Sequence, residues 1–278
     1  MTEPTPGASA AGDDFQRERR FVLQREQAQA FIAAVAPWVA LEVYDAERPL
    51  AYTRTTYLDS DDLAYFRSCE EPAPVMERLR VREYAAGTAG QEPPVLTGTC
   101  YLELKVSRAD LRQKLRFAAP PEVIDELVHG DGVTDAGWTE RLALNEAFAP
   151  IVGRLRAQRL RPRLTTWYHR ASLSGEEGRV RLTLDEGIAF CRPTEVGAAG
   201  ARAEPDEVLA YGPGRILEVK LRGDAPGWLA EALEPLLEDK RFSKFRTGMQ
   251  VVQQAGALPD RRSTNFLAVP ERLRVKTG

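Results

Sequence analysis

Tyr101-Leu102-Glu103-Leu104-Lys105-Val106 alternates strictly, with the two-residue period of a β-strand. One face carries Leu102, Leu104 and Val106, the other Tyr101, Glu103 and Lys105. The pattern returns along the chain, with charge on one face and aliphatics on the other. Arg78 to Tyr84 sets Arg78, Arg80, Arg82 and Tyr84 against Leu79 and Val81. Arg179 to Asp185 sets Arg179, Arg181, Thr183 and Asp185 against Val180, Leu182 and Leu184. Ile216 to Leu221 sets Glu218 and Lys220 against Leu217, Val219 and Leu221. Such strands predict one sheet with a charged face and an oily face covered by helices. If that sheet curls into a barrel, the charges line its bore, and a bore rich in Arg and Lys is a site for a polyanion. On one strand the same pattern reads as a solvated face with cross-strand ion pairs. Four strands with a covered opposite side favour the bore.

At 278 residues the chain is long enough for one large domain or two small ones. The formal charge of −3 gives the whole molecule no nucleic-acid signature, so no nucleic-acid partner is expected and any basic site must be local. Cys69, Cys100 and Cys191 are scattered and form no C-x-x-C pair, which argues for a reducing compartment. His129 and His169 are the only histidines, so His-based metal sites and triads are poorly supplied. No apolar run approaches the ~20 residues needed to span a bilayer. The opening residues lack a secretory pattern. The chain reads as cytoplasmic.

In order, residues 1–14 read as a disordered tail. Gln16 to Gln24 reads as a strand, with Glu18 and Arg20 on one face and Arg19, Phe21 and Leu23 on the other. Glu26 to Val39 has helical spacing. Thr53 to Leu58 is β-like, and Asp59-Ser60 caps a short helix through Arg67. The strands at Arg78 and Tyr101 form a hairpin with a loose tip at Ala85 to Pro94. Helices are expected from Pro120 to His129 and from Trp138 to Leu160, the latter broken at Pro150. Leu164 to Ala171 is a strand, and Gly175 to Gly178 turns into the strand at Arg179. Glu195 to Pro205 reads as a loop. Helices are expected at Pro226 to Glu238 and Phe242 to Val252. Trp38, Trp138, Trp167 and Trp228 read as core or helix-packing residues, Cys100 as a buried small hydrophobe, and Tyr57 as structural. His169 alternates away from Arg170 and reads as external.

Seven phrases occur in an order that resembles one family: RERRF (Arg17 to Phe21), TTYLDSDDL (Thr55 to Leu63), RLRVREY (Arg78 to Tyr84), YLELKV (Tyr101 to Val106), WYHRA with GRVRLTLDEGI (Trp167 to Ile188), ILEVKLRG (Ile216 to Gly223) and KRFSKFRTGM (Lys240 to Met249). The chain is similar to the VTC domain, the polyphosphate polymerase domain of the triphosphate tunnel metalloenzymes (CYTH-like). The resemblance runs from about Phe15 to Val252 and implies one tunnel domain over 15–256, with a tail over 257–278. It implies an α+β fold, an eight-stranded antiparallel barrel with helices packed outside.

The resemblance further implies that Arg20, Arg80, Arg82, Lys105, Arg170, Arg181 and Lys244 grip phosphates, with Ser243 beside the last and Lys114 as a further basic position. Arg80, Arg82, Lys105, Arg170, Arg181 and Lys244 would carry the reaction. Lys244 would gate one end of the tunnel. Glu218, with Glu18 and Glu103, would bind Mn²⁺ or Mg²⁺. The implied activity moves the γ-phosphoryl of a nucleoside triphosphate onto a polyphosphate chain. Two alternatives are a tunnel triphosphatase, with Glu18 or Glu103 orienting water, and a non-catalytic polyphosphate or nucleotide receptor. Bacterial relatives of the domain accompany small membrane proteins, so a membrane-protein partner is also implied. The family's opening Glu-x-Glu-x-Lys stands here as Gln16-Arg17-Glu18-Arg19-Arg20. One acid is missing, and a planar fork replaces a compact ammonium.

Overall fold

The alternating segments become long strands because each buries an aliphatic row under helices. The computed structural model describes residues 17–42, 51–71, 73–86, 94–108, 111–130, 133–193 and 202–255. Its strands are β1 (Arg17–Leu23), β2 (Val39–Leu41), β3 (Ala51–Asp59), β4 (Val75–Ala86), β5 (Val95–Arg108), β6 (Leu111–Ala119), β7 (Arg161–Gly175), β8 (Val180–Cys191), β9 (Val208–Tyr211) and β10 (Arg215–Leu221). Its helices are α1 (Arg25–Val35), α2 (Ala64–Glu70), α3 (Pro121–His129), α4 (Ala136–Ala143), α5 (Phe148–Ala157), α6 (Gly227–Leu233) and α7 (Lys244–Ala255). The expected tails over 1–14 and 257–278, and the hairpin tip over 87–93, lie outside the described residues. Much of the loop expected at Glu195 to Pro205 does so too.

The strands form one antiparallel sheet in the order β1-β10-β8-β7-β3-β4-β5-β6, with β2 added on β7 and β9 on β8. The fold is α+β, as expected, with ten strands of which eight form the continuous path. The expected barrel needs a correction. Among the described residues β1 and β6 end the path without pairing with each other, so backbone hydrogen bonds do not close the sheet. It curls nonetheless. β1 and β5 stand six places apart, which in a flat sheet is about 29 Å at the usual strand spacing. Yet Lys105 Nζ on β5 lies 3.7 Å from Glu18 Oε2 on β1. Only a sheet rolled almost into a ring permits that contact.

The convex, oily face is covered in two patches. Phe21, Leu173, Leu182, Leu217 and Val219 meet Phe31 and Val35 of α1 and Leu229 and Leu233 of α6. Leu79, Val81, Leu102, Leu104 and Phe117 meet α3 and α5 through Ile124, Leu127, Ile151 and Leu155. Each such side chain, once buried, contributes about 1.5–3 kcal/mol. Asp59 Oδ1 accepts from the Tyr65 amide and Oδ2 from the Phe66 amide, both at 2.9 Å, so it caps α2 as its sequence position suggests.

The Trp138–Leu160 region breaks at residues 144–147, ahead of Pro150. Pro150 sits in the first turn of α5, where its missing N–H leaves no bond unmade. Trp38 is 55% exposed and stacks on Trp228 of α6, so of the two expected roles it takes helix packing and not the core. β6, absent from the sequence reading as a strand, pairs with β5 from Cys100 to Arg108.

α7 lies across the open end of the charged face, seated by Phe245, Gly248 and Met249. Tyr57 packs on Phe245 at 5.2 Å. A Cβ at Gly248 would press into Leu164 Cδ2 and sit 2.8 Å from Phe190 Cδ1. Gly248→Val is therefore expected to lower stability by about 1–3 kcal/mol through overpacking. A urea unfolding midpoint equal to that of the unaltered protein would show that α7 does not seat there.

Candidate functional site

Register decides which side chains meet on the concave face. Arg20 stands beside Glu218, which stands beside Thr183, which stands beside Ser172. Across the ring, Tyr57, Arg80, Glu103 and Arg116 form another row, and Thr55, Arg82 and Tyr101 the next. Four buried or half-buried acids organise the basic groups around them.

Glu103 is the most enclosed of those called out in the sequence, at 1% exposure. Arg80 Nη2 reaches its Oε2 at 2.7 Å and Lys114 Nζ its Oε1 at 3.0 Å. Arg82 and Arg116 stand at 3.9 Å. Burial alone would raise this carboxyl; Arg80, Arg82 and Lys114 outweigh it and hold it well below the usual range. Asp185, with no exposure, accepts from Arg170 Nε at 2.6 Å and Nη2 at 2.7 Å, and also holds Lys244 Nζ. Glu18 pairs with Arg20 and faces Lys105. Glu218 lies 3.8 Å from Lys220. Burial would raise it too, but Arg170, Lys220, Arg20 and Lys244 bring it down to about 2.

Tyr168 joins the two halves of the ring. Its hydroxyl accepts from Arg82 Nη2 at 3.2 Å, and Arg170 and Lys244 lie over its ring at 5.3 and 4.8 Å. Against its burial, Arg82, Arg170 and Lys244 lower the phenol below its ordinary range. At 1% exposure it is a member of the site that the sequence reading passed over. The signal was present, because Tyr168 alternates in phase with Arg170.

The structure thus gathers Arg20, Arg80, Arg82, Lys105, Lys114, Arg170, Lys244, Glu18, Glu103 and Glu218 around one hollow. Arg181 lies toward its rim, 3.5 Å from Glu42. Ser243 caps α7, its Oγ accepting from the Arg246 amide at 3.5 Å. Asp185, Tyr168, Arg116 and Lys220 complete the set without having been assigned roles from the sequence. His169 turns the other way and stacks on Tyr52 at 4.4 Å.

Basic side chains on this face outnumber Glu18, Glu103, Asp185 and Glu218 by more than two to one. After internal pairing the hollow stays cationic, inside a molecule of net charge −3. Low effective dielectric there strengthens attraction for an anion.

Desolvation leaves two lysines near neutrality. Burial pulls Lys105 down to about 7, against the opposing pull of Glu218, and Lys114 down to about 8, against that of Glu103. Both lie below the ordinary lysine value of about 10.4. The unfolded chain therefore binds more protons than the fold from about pH 7 to 10, and ligand-free stability rises with pH across that window. An anion in the bore reverses the balance by favouring the ammonium form. Triphosphate affinity is expected to fall as pH rises through 7 to 8, with net proton uptake on binding. Calorimetry in buffers of different ionisation enthalpy reads that uptake. Lys105→Arg should reduce it, and equal uptake in both proteins would contradict the assignment.

Among the described residues, no three of His, Cys, Asp and Glu converge as a metal-ligand cluster. Glu103 does not suit a divalent ion, since its oxygens face four cations. Glu218 and Glu18 are diagonal neighbours on β10 and β1. They suit Mg²⁺ or Mn²⁺ as a partial shell, because such ions take one or two carboxylates and complete their coordination with phosphate oxygens and water.

No curated protein matches the chain. A crystal structure from Bacillus halodurans, described as that of a candidate adenylate cyclase, is similar over 89% of this chain and 94% of its own, at 12% identity and a TM-score of 0.42. That similarity is too low to bear on function. The family model described as the VTC domain matches residues 15–253. The chain belongs to the VTC domain family.

Proposed function

We propose that this protein is a phosphotransferase that lengthens polyphosphate, taking the γ-phosphoryl of a nucleoside triphosphate inside the curled sheet. The observation that carries the reading is the convergence of basic side chains from β1, β4, β5, β6, β7, β10 and α7 on one hollow bridged by Lys105 and Glu18. The chemistry asks for little else. The bond between the γ-phosphorus and the β–γ bridging oxygen breaks, a terminal oxygen of the chain takes its place, and the nucleoside diphosphate leaves. Catalysis then consists of in-line positioning and charge neutralisation.

Arg80 and Arg82 on one wall and Arg170 and Lys244 on the other grip successive phosphates. Arg20, Lys105 and Lys114 neutralise the oxygens between them. Glu218 and Glu18 would hold the divalent ion, which when bound supplies further neutralisation of phosphate oxygens. Of the two carboxylates that hydrolysis would draw on, Glu103 is engaged by Arg80 and Lys114, and Glu18 is given to the metal. This favours a phosphate acceptor over water. Incubation with ATP and Mn²⁺ is expected to yield long anionic polymer and ADP. ADP with free phosphate alone would assign the tunnel to hydrolysis, and tight triphosphate binding without turnover would assign it to reception.

A further inference from the structure

Asp185 is the most enclosed acid of the hollow. It has no exposed surface, yet its two oxygens are shared between side chains from different elements. Arg170 of β7 donates Nε to Oδ1 and Nη2 to Oδ2, and Lys244, the first residue of α7, donates to Oδ2. Arg170 spends one edge of its guanidinium on this fork and keeps its remaining N–H groups for another acceptor, and Lys244 keeps two of its three. Both cations also lie over the ring of Tyr168. A carboxylate two oxygens wide therefore fixes the spacing of two cations that no stretch of backbone links directly. α7 itself is held in place by Phe245, Gly248 and Met249, so the ammonium is delivered to a fixed position and Asp185 sets where it points.

We propose that Asp185 is a positioning residue, which joins Arg170 and Lys244 into a two-cation seat for one phosphate of a phosphoanhydride chain. The inference rests on the phosphate-binding reading of the hollow and goes beyond it by naming what builds one subsite. Charge alone makes the opposite forecast. Asp185 is a negative charge beside the seat, and neutralising it should tighten the binding of any polyanion. A positioning role demands the reverse, because an amide offers one acceptor where two are needed and turns a donor toward a cation.

The test is titration of the protein with inorganic triphosphate, comparing wild type, Asp185→Asn and Asp185→Glu. Circular dichroism melts would confirm that each variant is folded at the titration temperature. The expected order is wild type tightest, then Asp185→Glu, then Asp185→Asn. Asp185→Asn should lose about tenfold or more, the scale of one charge-assisted hydrogen bond. Asp185→Glu leaves the charge unchanged, so its smaller loss reads displacement alone. Binding by Asp185→Asn as tight as wild type or tighter would overturn the inference while leaving the hollow a phosphate site. If Asp185→Asn does not fold, a loss in folded Asp185→Glu supports the proposal and wild-type affinity there overturns it. Failure of both variants to fold would make the residue structural and would also overturn it. Absence of triphosphate binding by wild type would instead remove the reading on which the inference stands.

Discussion

Alanine at both Arg80 and Arg82 is expected to weaken triphosphate binding by about 10²–10⁴-fold, the sum of two charge-assisted contacts of about 1.5–3 kcal/mol each. The two project from β4 on the same face as Glu103 and Tyr168, and Arg82 is 7% exposed. Neither has an outward alternative as long as Leu79 and Val81 stay buried on the opposite side of the strand. The loss has a second source. With both arginines gone, Glu103 faces the bore balanced by Lys114 and Arg116 alone, so an incoming phosphate meets less opposing charge. Arg80→Lys with Arg82→Lys should recover part of the affinity, since the charge returns without the planar fork. Calorimetric titration of the folded variants checks this. A double alanine variant within twofold of wild type would place the phosphate chain somewhere other than this wall.

The second large effect concerns stability. Glu103→Gln is expected to cost about 3 kcal/mol in urea unfolding, toward the lower end of the range for removing one partner of a buried ion pair. Lys114 and Arg116, each about a third exposed, can turn partly to water, whereas Arg82 cannot. The contrast is Glu238→Gln, which breaks a pair with Arg19 on the outer surface and should cost less than about 1 kcal/mol. The pH dependence separates them further. The folded-state carboxyl of Glu103 lies below its unfolded value. Its contribution is therefore present above about pH 4.3 and is lost as pH falls below that toward the folded value. Wild type should lose stability in that acid window more steeply than Glu103→Gln. Equal costs for the two substitutions would mean that Glu103 is not the buried counter-charge of this wall.

Local alternation was enough to assign the strands at Arg78, Tyr101, Arg179 and Ile216, because each carries aliphatics on one face and charge on the other. It was enough, too, to place Arg20, Arg82, Lys105 and Glu218 on a shared side. What it could not supply was depth. Glu103 and Glu218 occupy equivalent places in two similar hexapeptides, YLELKV and ILEVKL. Yet one is 1% exposed with four cations within 4 Å of its oxygens, and the other is half-buried with Lys220 at 3.8 Å. That difference arises from strand order, which brings β6 and its Lys114 and Arg116 beside β5, and the alternation of those two with Leu115 and Phe117 was not read as a strand. Tyr168 was hidden for another reason. Beside a tryptophan and a histidine it reads as packing, and its role depends on Arg82, whose strand β4 is separated from β7 by β3. The break before Pro150 was misread because proline stops a helix only from its interior, and the first turn tolerates it.

Curling of the sheet, too, is invisible to periodicity. Whether eight strands lie flat or roll up depends on accumulated twist, and here the contact of Lys105 with Glu18 is the sign that they roll. A crystal structure of the protein with inorganic triphosphate tests the whole account most directly. It should place the phosphates inside the curled sheet, within hydrogen-bond reach of Arg80 or Arg82 on one wall and of Arg170 or Lys244 on the other. Triphosphate bound on the helix-covered outer surface, with those four side chains still paired only to Glu103, Tyr168 and Asp185, would contradict it.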